Sequence, residues 1–330
     1  MSQADALVLL RARSGASVGL GHLMRTLAVA EEVVARGARA CIVTDDRASA
    51  ARLRAEGWEA SSAAERPHWA REKANGAWLD GFVDWTDELR TLARRGVPSY
   101  LVENRSAARE WASFVVHPNL YVAADAWERV HAARVLGGAE WIPLRREVRE
   151  LRPAASRDLD LLVTFGGSDP LASTERVLAA LPTGLRVAVS VGAHMEPRRG
   201  AIERAAEHKR AQVLPANTPL APWMARARVA ITALGTTLYE LAYLGTAALV
   251  LANYESDRPV LEGHRKAGLF EPLGLAGEFD QRALHAALGP ALDAALERAR
   301  APSAPIRGLG EGAARLAERL LAAAPVQLAA

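Results

Sequence analysis

Three glycine-bearing turns constrain this chain more than any other feature, because each follows an apolar run and opens a stretch of helical periodicity. The first is Gly15-Ala16-Ser17-Val18-Gly19-Leu20-Gly21-His22-Leu23-Met24-Arg25, lying between apolar residues 6–10 and a helical pattern over 23–36. The second, Gly166-Gly167-Ser168-Asp169-Pro170, follows a strand predicted at 158–165 and precedes a helix at 173–180. The third, Ala233-Leu234-Gly235-Thr236-Thr237, follows 225–232 and opens a helix at 238–244 that carries Glu240. Strand, turn and helix recurring in that order predict an α/β fold with parallel sheets and right-handed crossovers. A glycine turn feeding a helix exposes backbone N–H groups at the positive end of the helix dipole, which suits phosphate.

His22 stands at the first helix start, where the dipole disfavours an imidazolium, so it is a candidate general base. Two plainer readings of this turn stay open. Gly19-Leu20-Gly21 with Asp45 and Asp46 after the second strand resembles a dinucleotide turn, although Met24 replaces the third glycine. Alternatively, His22 only begins a helix. The other two turns have plain readings as well, a tight connection and a Ser or Thr cap. Three such turns at carboxyl ends of strands favour a shared ligand crevice.

Between the turns the pattern continues. Strands are expected at 38–44, 77–83, 98–103, 185–191 and 247–251, with helices at 47–56, 87–95 and 199–208, and 114–117 leads into Pro118-Asn119-Leu120. The stretch 58–76 has no clear assignment, and 282–321 reads as an alanine-rich, helical tail. Asp80 falls at a strand end, the usual place for ligand-facing residues. An arginine-rich connector over 141–157 marks the boundary between an N-terminal domain at 1–150, with the Gly-x-Gly-His loop, and a C-terminal nucleotide-binding domain at 151–330. Two Rossmann-like halves facing a cleft are the expected architecture.

At 330 residues the chain is long enough for two cores. Its 41 Lys and Arg against 38 Asp and Glu give a charge of +3, and the basic residues are scattered, so no nucleic-acid partner is expected. The single cysteine, Cys41, cannot form an internal disulfide, which points to a reducing, cytoplasmic setting. The apolar residues near the start are too few for a signal peptide or a membrane span, and no integral membrane segment is expected.

Taken together, Gly19 to Arg25, Gly166 to Pro170 and residues 235–241 resemble the nucleotide-sugar hydrolases of pseudaminic acid biosynthesis and the related SpsG-type spore-coat polysaccharide proteins. More distantly the chain is similar to the glycosyltransferase that makes lipid II. Asn119 in a His-Pro-Asn segment, Leu136-Gly137-Gly138 and residues 143–147 extend the resemblance over roughly 7–269. It implies a GT-B architecture and release of a nucleoside diphosphate, UDP by family likeness, from a modified amino sugar. His22 would activate water for inverting attack at the anomeric carbon, with Arg25 and Asp80 also catalytic and no metal or cofactor required. Gly19, Gly21, Arg13, Glu103, Asn119 and Asp257 would line the substrate. Gly166, Gly167, Ser168, Gly235, Thr236 and Thr237 would meet the diphosphate, and Glu240 the ribose. Neighbouring enzymes of the same sugar pathway are the implied partners.

Departures from the family pattern cluster on the sugar side. Arg-x-Asp becomes Arg11-Ala12-Arg13, Asp-x-Tyr becomes Asp80-Gly81-Phe82, paired acids become Glu103-Asn104, and an Asn-Gln becomes Ser256-Asp257. A changed sugar is the expected consequence. Arg13 is free to pair with an acidic group on substrate or with Glu103. Two rival readings remain: a glycosyltransferase with the same donor site, and a nucleotide-sugar binding protein without catalysis.

Overall fold

The computed structural model describes residues 6–15, 18–122, 128, 130–131, 134–151, 157–216, 218–268, 270–301 and 304–322. Ala16 and Ser17 of the first turn lie outside the described residues. In chain order the first part contains β1 (Leu7–Ala12), α1 (Gly21–Ala35), β2 (Arg39–Thr44), α2 (Arg47–Ala55), β3 (Glu59–Ser62), β4 (Gly76–Asp80), α3 (Thr86–Arg94), β5 (Ser99–Val102), β6 (Phe114–His117) and β7 (Val135–Gly137). After the short α4 (Arg146–Arg149) come β8 (Leu159–Thr164), α5 (Ser173–Ala180), β9 (Val187–Val189), α6 (Arg199–Glu207), β10 (Gln212–Val213), α7 (Ala221–Arg226), β11 (Ala227–Thr232), α8 (Thr236–Tyr243), β12 (Ala247–Ala252), α9 (Arg258–Lys266), β13 (Glu271–Leu275), α10 (Gln281–Arg298) and α11 (Gly312–Leu321).

The chain forms two compact units, Met1–Arg146 with Arg307–Ala330, and Glu147–Ile306. The first holds a seven-stranded sheet in the order β3-β2-β1-β4-β5-β6-β7, and the second a six-stranded sheet in the order β10-β9-β8-β11-β12-β13. Every strand pairing is parallel. Central strands of such sheets are covered on both faces and need unbroken apolar runs. Accordingly all six residues of β1 are buried, Arg11 among them.

In the first unit the chain leaves β1 toward β2 and later returns on its other side as β4, so the connections diverge between β1 and β4. In the second they diverge between β8 and β11. Loops leaving adjacent strands to opposite faces open a crevice at their carboxyl ends, where open α/β sheets bind ligands. The first glycine turn and Asp80 flank one divergence point. The second and third turns flank the other.

The tail is helical, as its composition predicts, in two pieces. Its α10 packs on β11, β12, β13 and α5 of the second unit, whereas α11 packs on α1, β1 and β4 of the first. Leu316, Ala317 and Leu320 enter the core with Val8, Leu10 and Trp78. The unassigned stretch 58–76 supplies edge strand β3, whose register on β2 runs from Cys41 opposite Glu59 to Thr44 opposite Ser62. Cys41 is buried beside Arg66, and burial pushes its thiol up to about 12 despite that guanidinium.

Alanine normally outperforms glycine in a helix by about 1 kcal/mol. At Gly312, the first residue of α11, a Cβ would land on the backbone carbonyl of Ile142. Gly312→Ala is therefore expected to lower stability by about 1–3 kcal/mol, read as a drop in the denaturation midpoint. An unchanged or raised midpoint would show that α11 does not dock there.

Candidate functional site

The first glycine turn bends back on itself. Gly15 and Gly19 form an isolated bridge, the Gly19 amide donates to the Gly15 carbonyl at 2.8 Å, and their φ values of 132° and 80° are ones that side-chain-bearing residues rarely adopt. The loop then delivers Gly21 and His22 to the start of α1, which no side chain caps. His22 is nearly buried, with 8% of its surface exposed.

Its Nδ1 lies 2.6 Å from Oδ1 of Asp80, the last residue of β4. An ionised carboxylate only accepts hydrogen bonds, so Nδ1 carries a hydrogen, and in the neutral imidazole Nε2 holds the lone pair. Arg25 sits one turn further along α1 and grips the same carboxylate, with Nε to Oδ2 at 2.5 Å and Nη2 to Oδ1 at 2.7 Å. The 3.3 Å approach of Arg25 Nη2 to His22 Nδ1 joins two donors and is a packing contact.

Arg25 Nη1 also donates to Glu103 Oε2 at 2.5 Å, and Glu103 Oε1 accepts from Asn119 Nδ2 at 2.5 Å. Glu103 adopts a left-handed φ of 47° to make this link, a strained conformation of the kind concentrated at functional sites. His22, Asp80, Arg25, Glu103 and Asn119 thus form one chain of contacts across the carboxyl ends of β4, β5 and β6.

Asp80 is fully buried. Placed at the end of β4, its carboxylate points at His22 and Arg25 of α1 and not at solvent. Burial by itself would raise its carboxyl, but Arg25, and then His22, hold it below the usual carboxylate range. Burial would likewise lower the Arg25 guanidinium, and Asp80 and Glu103 outweigh it and raise it.

Arg13 does not reach Glu103. Its Nε donates to Asp45 Oδ2 at 2.5 Å, and Arg11 holds Oδ1 of the same carboxylate while lying over the Trp85 ring at 5.1 Å. Asp45 is thus committed to two arginines, which removes the carboxylate a dinucleotide ribose would need. Asp46 caps α2 through Ser49 N and accepts from Ser14 Oγ.

In the second unit the two turns differ. Asp169, at a left-handed φ of 42°, accepts from the amides of Ser173 and Thr174 at 2.8 and 2.9 Å and pairs with Arg198 at 3.0 Å. The start of α5 is therefore capped from within. What remains exposed is the turn itself, Gly166 with half-buried Gly167 and Ser168. By contrast α8 begins at exposed Gly235 with no side-chain cap, followed by half-buried Thr236 and Thr237 and, one turn on, buried Glu240. Asp257 accepts from the Tyr254 amide at 3.1 Å, closing its own turn, and burial raises its carboxyl.

Among the described residues no group of three or more His, Cys, Asp or Glu is placed to hold a metal, and no helix is long and apolar enough to cross a membrane.

No protein-family model matches the chain, and no curated protein matches it by sequence. Solved structures do match its fold. MurG of Acinetobacter baumannii superposes with a TM-score of 0.59 at 16% identity, covering 94% of this chain and 95% of that one. LpCGTa in complex with UDP gives 0.63 at 15% identity, covering 96% and 98%. UDP-GlcNAc 2-epimerase from Neisseria meningitidis, bound to UDP-GlcNAc, gives 0.60 at 12% identity, covering 94% and 98%. The two parallel-sheet units and this likeness over nearly the whole chain establish a GT-B-like fold.

Asp80 links pH to stability with a definite sign. Its folded carboxyl lies below the unfolded value of about 3.9, so its contribution is complete above that pH and is lost as pH falls through the folded value. Asp80→Asn, which leaves Arg25 buried with one partner fewer, is expected to cost about 3 kcal/mol at pH 7. Urea denaturation should show the gap from wild type narrowing below about pH 4, and a pH-independent gap would contradict this account.

Proposed function

We propose that this chain is an enzyme that transfers a glycosyl group from a nucleoside diphosphate sugar, with UDP as the nucleotide. The observation that carries the reading is the histidine whose Nδ1–H is locked on a buried carboxylate, leaving Nε2 to accept a proton. In the proposed reaction an acceptor hydroxyl gives its proton to His22 Nε2 as its oxygen bonds to the anomeric carbon. The bond from that carbon to the diphosphate oxygen breaks, and the nucleoside diphosphate leaves with the electron pair and with inversion.

Asp80 stabilises the imidazolium that forms, and Arg25 and Glu103 position Asp80. For the nucleotide we assign the second unit. The uncapped start of α8 at Gly235, Thr236 and Thr237, with the turn Gly166 to Ser168, supplies amides for the diphosphate, and Glu240 supplies an acceptor for ribose hydroxyls. Support for UDP comes from two of the similar structures, one in complex with UDP and one bound to UDP-GlcNAc.

The Gly-x-Gly-His-x-x-Arg pattern favours a second reading with the same chemistry, in which water is the acceptor and the chain is a nucleotide-sugar hydrolase of surface polysaccharide or nonulosonic acid biosynthesis.

The test is release of free nucleoside diphosphate from a panel of UDP-linked amino sugars, with and without candidate acceptors. Replacing the base, His22→Ala, is expected to lower release by about 10²–10⁴-fold while leaving UDP binding intact. Release without acceptor selects the hydrolase, and release that requires acceptor selects the transferase. Failure to bind UDP overturns both, and binding with no turnover would leave a nucleotide-sugar binding protein.

A further inference from the structure

Beside His22 lies a surface that proton transfer does not use. Phe82 is 69% exposed, and its ring meets the His22 imidazole edge-on, with centroids 4.8 Å apart at 79°. Single exposed apolar residues are common and carry no message alone. Phe82 differs in how it is held. Buried Asn104 donates from Nδ2 to both the Gly81 and Val83 carbonyls, at 2.9 and 2.6 Å, and Trp85 Nε1 donates to Gly81 O at 3.3 Å. The carbonyls on either side of Phe82 are thereby pinned, so the ring is presented outward by a fixed backbone.

The stem of Arg13 covers the residue just before it, since a Cβ on Gly81 would collide with Arg13 Cγ. The Arg13 amide also donates to the Asp80 carbonyl at 2.9 Å. Only Nε of its guanidinium is engaged, on Asp45, while the side chain stays 31% exposed. Arg11 and Arg13 share that single carboxylate, and Asp46 is occupied by Ser14 and the start of α2. Two nitrogens of the Arg13 guanidinium are therefore left without a protein partner among the described residues.

Resting on the reading of His22 as the base that takes the nucleophile's proton, we propose that Phe82 and Arg13 form the acceptor subsite, and that the acceptor is a ring-bearing hydroxyl compound with an anionic group. Phe82 is the exposed ring packed on the His22 imidazole, so a molecule that delivers its proton to Nε2 has an aromatic surface beside it. Water gains nothing from an aromatic face, whereas a sugar or aromatic ring stacks on it. The Arg13 fork suits a carboxylate or phosphate. Aromatic and sugar acids share this chemistry, and the probes separate them.

The full-length protein, saturated with UDP to occupy the nucleotide site, would be titrated calorimetrically with four probes: 4-hydroxybenzoate and its uncharged counterpart 4-hydroxybenzyl alcohol, and glucuronate and its counterpart glucose. Each acid is expected to bind about tenfold more tightly than its neutral partner. In Arg13→Gln that preference should collapse with neutral binding kept. In Phe82→Ala both members of a pair should weaken by about three- to tenfold with the preference retained. Loss of folding would remove both properties together, and circular dichroism with UDP affinity checks it. The better-bound pair identifies the ring class. Equal affinities for acid and neutral probes, or no binding of any probe to UDP-loaded protein, overturns the proposal and leaves the transfer reading standing, whereas absent UDP binding strikes that reading itself.

Discussion

The carboxylate of Asp80, buried at the end of β4, is the contact on which the side-chain arrangement of the first unit's candidate site depends. Such a group is tolerable in an apolar sheet only if it is fully paired, because an isolated ion there would cost far more than one side chain's packing returns. His22 and Arg25, three residues apart and so on one face of α1, supply the pairing. The same ion pair anchors α1 to the sheet and fixes the imidazole's tautomer. Arg25 then requires Glu103, which adopts a left-handed backbone to meet it, and Glu103 engages Asn119.

A similar logic separates the two glycine turns of the second unit. Helix starts carry amides without intrahelical partners. At α5 those amides are taken by Asp169, itself held by Arg198, so that helix start is closed by the protein. At α8 no side chain performs this role. Two turns of similar composition thus differ in what they offer an anion, and the difference lies in one aspartate four residues before a helix.

Much of the fold was legible because parallel strands buried on both faces leave continuous apolar runs, and the helices between them end at glycines. The strand at 247–251 and the helix at 173–180 lie where the pattern puts them. Residues 58–76 were not legible: β3 is an edge strand, half exposed and polar, and its sequence Glu-Ala-Ser-Ser carries no periodic signal. The break in the tail was hidden for another reason. Alanine favours helix wherever it stands, so composition does not mark the break, and packing on different sheets distinguishes α10 from α11. Asn104 stood beside a noted acid, but nothing in sequence announces that its amide clamps the loop at 81–83.

The sequence by itself determined the alternation of strand, glycine turn and helix, and so the parallel sheets, and the presence of His22, Arg25 and Asp80 at strand and helix ends. These are local consequences of hydrophobic period and backbone freedom. Tertiary structure alone decided the partners. Asp80 lies 58 residues from His22 and faces inward, Arg13 turns to Asp45 rather than to Glu103, and α11 returns to the first unit from the far end of the chain. Charge pairing depends on distances of a few ångströms between residues remote in sequence, and only the packing of strands brings such residues together.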